Sequence, residues 1–180
     1  YPRKQFNDRN SSNTTGEYVY NSKNVQDSYM VRKAKDCRYC HFLKAGPVAD
    51  CYDYTLFGEQ AELVYESTWV GQNISNVKFS VWNYGVSNLE FCFGGHSSNN
   101  MFGCVGIRKG EYCILNKRYS KEEYLKIVER LKKQMMKIPY VDKIGKIYGY
   151  GEMMPSELSP WTYNESTAME WFPLNKKEAK

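Results

Sequence analysis

A polar residue followed by an apolar one recurs along this chain at nearly fixed intervals. The pairs are Asn24-Val25, Asp36-Cys37, Asp50-Cys51, Glu62-Leu63, Asn76-Val77, Asn88-Leu89 and Asn100-Met101, with Tyr112-Cys113 as a degenerate eighth. Steps between the apolar members are 12, 14, 12, 14, 12, 12 and 12 residues. Self-similarity at a short fixed period marks a stacked architecture, in which each unit buries its apolar side only against its neighbours. The 16 Tyr, 8 Phe and 4 Trp among 180 residues point the same way, towards strands and away from a helical bundle.

Alternate anchors differ, which predicts that two steps make one full turn. Two places after Cys37, Leu63, Leu89 and Cys113 stand Tyr39, Tyr65, Phe91 and Leu115; three places after Val25, Cys51, Val77 and Met101 stand Ser28, Tyr54, Ser80 and Cys104. A loop of a dozen residues leaves interior room only for small side chains, so aromatic inward positions favour a rung of 24–26 residues. Stacking such rungs at the strand spacing of about 4.8 Å brings Asn24, Asp50, Asn76 and Asn100 to one bend, where Asn and Asp tolerate the left-handed conformation. The expected fold is mostly β: a parallel β-helix, or β-solenoid, over residues 18–116, after a polar N-terminal segment, 1–17. The first residue is Tyr1 rather than Met, as in a fragment or a processed product.

Residues 117–180 read differently. Ser120-Lys121-Glu122-Glu123 is a capping box. Tyr124, Ile127, Val128, Leu131, Met135 and Ile138 then recur at helical spacing until Pro139. This predicts an amphipathic helix over 121–138 whose apolar face covers the open end of the solenoid near Cys113 and Leu115. Beyond it, Gly alternates with apolar residues over 144–151 as in a loop or short hairpin, Asn164 stands where a short helix through Trp171 would be capped, and 175–180 is polar.

Charge narrows the functional classes. Residues 21–113 carry nine Lys/Arg against nine Asp/Glu, whereas 117–146 carry ten basic residues against four acidic ones. An anionic partner is therefore expected at the helix, on Lys126, Arg130, Lys133 and Lys137. Trp69 and Trp82, with Tyr84 and Phe93, are candidates for a stacking platform for sugars or bases, or for packing a neighbour or a second copy of the chain. No apolar run approaches a membrane span.

Six cysteines are too few for a disulfide scaffold of this size, which favours a reducing, cytoplasmic setting. They fall on the repeat lattice and read as small interior residues. Cys37-x-x-Cys40 could supply half of a tetrahedral zinc site, yet no second pair follows at ribbon spacing, so no cofactor is expected. His41 and His96 are the only histidines; His96 stands in Gly94-Gly95-His96, where the ladder needs a corner, with no acidic cluster near it in sequence. Asp27 and Asp53 would stack as a carboxylate pair on a 26-residue rung, the arrangement a polysaccharide-acting β-helix enzyme would use.

Two segments, FGCVGIRKGEYCILNKRYSKEEY over 102–124 and PSELSPWTYNESTAMEWFPL over 155–174, resemble the C-terminal half of a family of cysteine-rich, zinc-ribbon-associated repeat proteins of ultra-small uncultured bacteria. The resemblance runs over most of 18–174 and implies the repeat fold; it brings no activity with it. The expected function is a non-enzymatic binding or scaffold module that presents a solenoid face and a basic helix to a protein or nucleic-acid partner. A nucleic-acid-binding module and a polysaccharide-acting enzyme are the alternatives.

Overall fold

From Ser22 to Leu43 every third residue is buried, and the residue before each is left-handed, with φ between 48° and 64°. Each left-handed residue turns the chain through a corner. Four corners close a rung, and three residues remain for each side. The computed structural model describes residues 8–166 and 168–175. In it, thirteen strands form one sheet wound into a parallel β-solenoid of about nine turns.

Register corrects the rung length. Val25 lies beside Cys37, Ala34 beside Val48, and Leu89 beside both Val77 and Met101, so a rung is 12 to 14 residues, half the predicted 24–26. Alternate anchors differ because side chains outside the solenoid differ, not because they lie on different halves of a turn. Tyr39 is 48% exposed, Leu63 49% and Leu115 74%, so the aromatic interior expected of a long rung does not exist. The narrow interior is filled mainly by Val, Ser, Ala and Cys, with Leu43, Ile74, Leu89 and Met101 among them and Tyr54 as its one large aromatic side chain among the described residues. Extra residues are accommodated between Leu43 and Val48, Tyr54 and Ala61, and Val70 and Ile74, where the three-residue step is broken. The ladder also reaches below Tyr18: Asp8 pairs with Val19 and Ser12 with Lys23, so residues 8–17 of the supposed N-terminal segment belong to the solenoid.

Polar atoms inside so narrow a core need partners. Ser28 Oγ donates to the Gln26 carbonyl at 2.7 Å and accepts the Cys40 N–H at 3.1 Å; Ser80 Oγ does the same with Lys78 O at 2.7 Å and Cys92 N at 3.1 Å. All six cysteines make the first of these bonds through sulfur, to the carbonyl two residues earlier, at 3.0 to 3.5 Å. Cysteine thus stands where serine does, as a small side chain that satisfies a corner. Asn83, fully buried, bonds Val81 O and Cys92 O and accepts the Gly95 N–H at 2.7 Å. Outside, Asn13, Asn24 and Asp36 link rung to rung at 3.0 and 2.8 Å, as do Asn76, Asn88 and Asn100 at 2.8 and 3.3 Å.

The last rung is closed by the chain itself. Leu115 and Asn116, with φ of 47° and 64°, make a two-residue turn that returns Lys117–Arg118 antiparallel along Glu111–Ile114. Positive φ at both positions is the type I′ requirement, and two charges on the returning strand oppose further pairing. Helix α1, Lys121–Lys137, begins at the predicted capping box, with Glu123 N–H to Ser120 Oγ at 3.3 Å and Ser120 N–H to the Glu123 carboxylate at 3.1 Å. It does not lie across the open end. Its apolar face, including Ile127, Leu131 and Met135, runs back along the flank over Ile114, Phe102, Phe91 and Phe79, one from each successive rung. Lys132 reaches Glu90 at 2.6 Å and holds it there. Seventeen residues of helix span about 25 Å, or roughly five rungs.

Past the helix, Tyr140–Val141 and Ile147–Tyr148 form a hairpin that starts before the segment 144–151 expected to be a loop or short hairpin. Asn164 lies inside a short 3-10 turn capped by Thr162 rather than capping a helix, and α2 is Ala168–Trp171. Residues 1–7 and 176–180 of the predicted terminal segments lie outside the described residues.

Candidate binding face

A rung of four sides distributes the charges, which the sequence alone leaves balanced. Side 1 begins at Val25, side 2 at Ser28, side 3 at Val31 and side 4 at Ala34, and register carries each along the stack. Within residues 21–113, sides 2 and 3 carry Arg32, Lys33, Lys44, Arg108 and Lys109 against the single acid Glu59, and the rungs below add Glu17 on side 2 and Asp8 and Arg9 on side 3. Of the nine basic and nine acidic residues in 21–113, that leaves four and eight on sides 1 and 4. One flank is therefore basic and the opposite one acidic. Helix α1 lies on acidic side 1, where Lys132 meets Glu90, so part of its basicity is neutralised by the solenoid beneath it.

The corner between sides 2 and 3 carries Met30, Phe42, Leu56, Trp69 and Trp82 on successive rungs, all left-handed. Gly94 and Gly106 continue the same file. Trp69 and Trp82 are 48% and 47% exposed. Between them opens a groove of about 430 Å³ lined by Thr68, Trp69, Val81, Trp82 and Trp161. Trp161 comes from the tail and is seated by its edge-on contact with Phe93, 5.4 Å between ring centres. Three of the protein's four tryptophans thus meet at one groove. On the other side of Trp69 a second groove, about 360 Å³, is lined by Phe42, Lys44, Ala45, Leu56, Phe57 and Trp69. The Lys44 ammonium sits 3.8 Å above the Phe42 ring. Side 3 continues with Tyr84 and His96 stacked at 5.2 Å, and Arg108 beside His96 one rung on.

The remaining predicted positions fall elsewhere. Lys126, Arg130, Lys133 and Lys137 are exposed on α1, and Lys133 is paired with Glu129 at 2.6 Å. Cys37 and Cys40 point into the core from successive sides of one rung, with Cys51 stacked next to Cys37. The neighbouring Cys37 sulfur, then burial, pushes the Cys40 and Cys51 thiols above the usual thiol value, and the same two neighbours draw Cys37 below it. Among the described residues no group of three or more His, Cys, Asp or Glu is arranged to hold a metal ion. Asp27 and Asp53 are not neighbours. Tyr39 occupies the rung between them, and Asp27 is engaged by Arg38 at 3.1 Å.

Sequence reasoning named Trp69 and Trp82 and missed Trp161, because Phe93 lies 68 residues before it in the chain. It also missed the basic flank. The available signal was the three-residue spacing of small residues from Ser22 to Cys40, which sets the rung at 12 and would have sorted the charges by side. No helix is long and apolar enough to cross a membrane among the described residues. Comparison with protein-family models, with curated proteins and with solved structures finds no match.

Proposed function

We propose that this chain is a non-enzymatic binding module whose working surface is the flank formed by sides 2 and 3. The observation that carries the reading is the coincidence, on one flank, of five basic residues with a groove walled by three indoles. Exposed apolar patches rimmed by charge are the usual mark of a macromolecular interface. An enzymatic reading lacks support: the carboxylates that would act together are two rungs apart, and His41 and His96 lie against the Tyr29 and Tyr84 rings. Six buried thiols without disulfides fit a reducing, cytoplasmic setting.

Retention on an immobilised polyanion tests the choice of face. Reversing Lys44, Arg108 and Lys109 to Glu should abolish retention, while changing Lys126, Arg130, Lys133 and Lys137 to Gln should leave most of it. The opposite ranking would return the interface to the helix.

A further inference from the structure

Resting on that reading, we infer that the occupant of the basic flank is a single-stranded nucleic acid, its phosphates along side 3 and its bases stacked on Trp69, Trp82 and Trp161.

The backbone supports the placing of the indoles for contact rather than for packing. A bulky residue in the left-handed region is strained. At the next corner Phe79 and Phe91 accept the same conformation, but they are 3% and 8% exposed beneath α1, so burial offsets the strain. Trp69 and Trp82 lie under no such cover and stay about half exposed, with Trp82 meeting Phe93 edge-on at 6.0 Å. Their corner is filled by glycine at Gly94 and Gly106, which is the unstrained solution.

Groove chemistry then selects among anionic polymers. The Thr68 hydroxyl and the indole N–H groups are the only polar side-chain atoms on its wall. A sugar needs several directional hydrogen-bond partners, whereas a base needs only an apolar face on which to stack. In a duplex those faces are covered, so the strand must be single. Charge complementarity supplies the rest: Arg32 and Lys33 lie on one side of the indoles along the stack, Lys44 lines the second groove, and Arg108 and Lys109 lie beyond Trp82. From Phe42 to Trp82 is three rungs, about 14 Å, the length of a short run of nucleotides.

The test is a titration of intrinsic tryptophan fluorescence with oligo(dT) of twelve nucleotides, on the whole chain. Wild type should be quenched saturably, with log affinity falling against log salt at a slope of about −2 to −3.5 if three to five phosphates are engaged. Trp69→Gly and Trp82→Gly, which the corner tolerates and whose folding is checked by circular dichroism, should each weaken binding about tenfold or more. The Gln variant of Lys126, Arg130, Lys133 and Lys137 should change it little, since α1 lies on side 1, across the solenoid from side 3. Equal binding of a duplex of the same length, or oligo(dT) affinity unmoved in the Gly variants, overturns the inference. Heparin binding that depends on both indoles, with no response to oligo(dT), also overturns it but leaves the basic flank as the working face. A concentration-dependent dimer abolished by Trp82→Gly would assign the groove to a second copy of the chain. Loss of all polyanion binding only in the helix variant would remove the proposed face itself.

Discussion

Ser80→Ala isolates the hydrogen bonding on which the narrow core depends. Ser80 is fully buried, donates to Lys78 O at 2.7 Å, and accepts the Cys92 N–H at 3.1 Å. Removing the hydroxyl leaves Lys78 O with its bond from Phe91 N at 3.2 Å, so the carbonyl remains satisfied. The Cys92 N–H then loses its partner inside the buried core. An orphaned buried donor costs about 1–3 kcal/mol, against a lost methyl-sized packing difference of much less. For a chain of this size each kcal/mol lowers the melting temperature by about 2–4 °C, so the expected fall is about 2–12 °C. Urea denaturation gives the free energy, and hydrogen exchange at the Cys92 amide locates it. Ser87→Ala, on the outer row of side 4, is the control and should stay within about 0.5 kcal/mol of wild type. Ser80→Cys should recover part of the loss, since sulfur also accepts an amide N–H from the next rung, as Cys104 Sγ does from Asn116 at 3.4 Å. If Ser80→Ala matches Ser87→Ala and the Cys92 amide is no less protected, the corner-bond account is wrong.

Cys92→Ser should cost no more than about 1 kcal/mol, because serine already fills this file at Ser28, Ser67 and Ser80; a loss above about 3 kcal/mol by urea denaturation would contradict the equivalence. A thiol reagent added to native protein should label none of the six cysteines in minutes and all six after unfolding, as their burial requires. Truncation after Ser120 uncovers Phe79, Phe91, Phe102 and Ile114, each worth about 1.5–3 kcal/mol when buried, and should produce aggregation visible by light scattering; a monomer with unchanged melting would show that α1 covers nothing. Burial pulls the Lys132 pKa down, but Glu90 and Tyr150 outweigh it and hold the ammonium above its ordinary 10.5. The charged form is favoured in the fold, so its contribution is complete below 10.5 and is lost as pH rises through the folded value. The stability gap between wild type and Glu90→Gln should therefore hold up to about pH 10 and narrow as pH rises above about 10.5, and a gap that stays constant there would refute the pairing.

Local chemistry carried what was legible without coordinates. The anchors from Asn24 to Cys113 announce a stack, Ser120 and Glu123 start the helix, Pro139 ends it, and the cysteines sit on lattice positions, because each depends on residues close in sequence. Rung length was a different matter. Rungs of 12 and 26 residues carry the same apolar ladder, and only backbone register, with Val25 beside Cys37 and a left-handed residue at every third position, separates them. That register moved Tyr39 and Leu115 from core to surface, parted Asp27 from Asp53, and sorted a neutral body into basic and acidic flanks. Where the helix lies was likewise settled by contacts distant in sequence, Lys132 on Glu90 and Tyr124 beside Tyr112, while a two-residue turn took over the task of closing the end. Trp161 reaches Phe93 across 68 residues, and pattern within a segment holds no information about which distant surface it will meet.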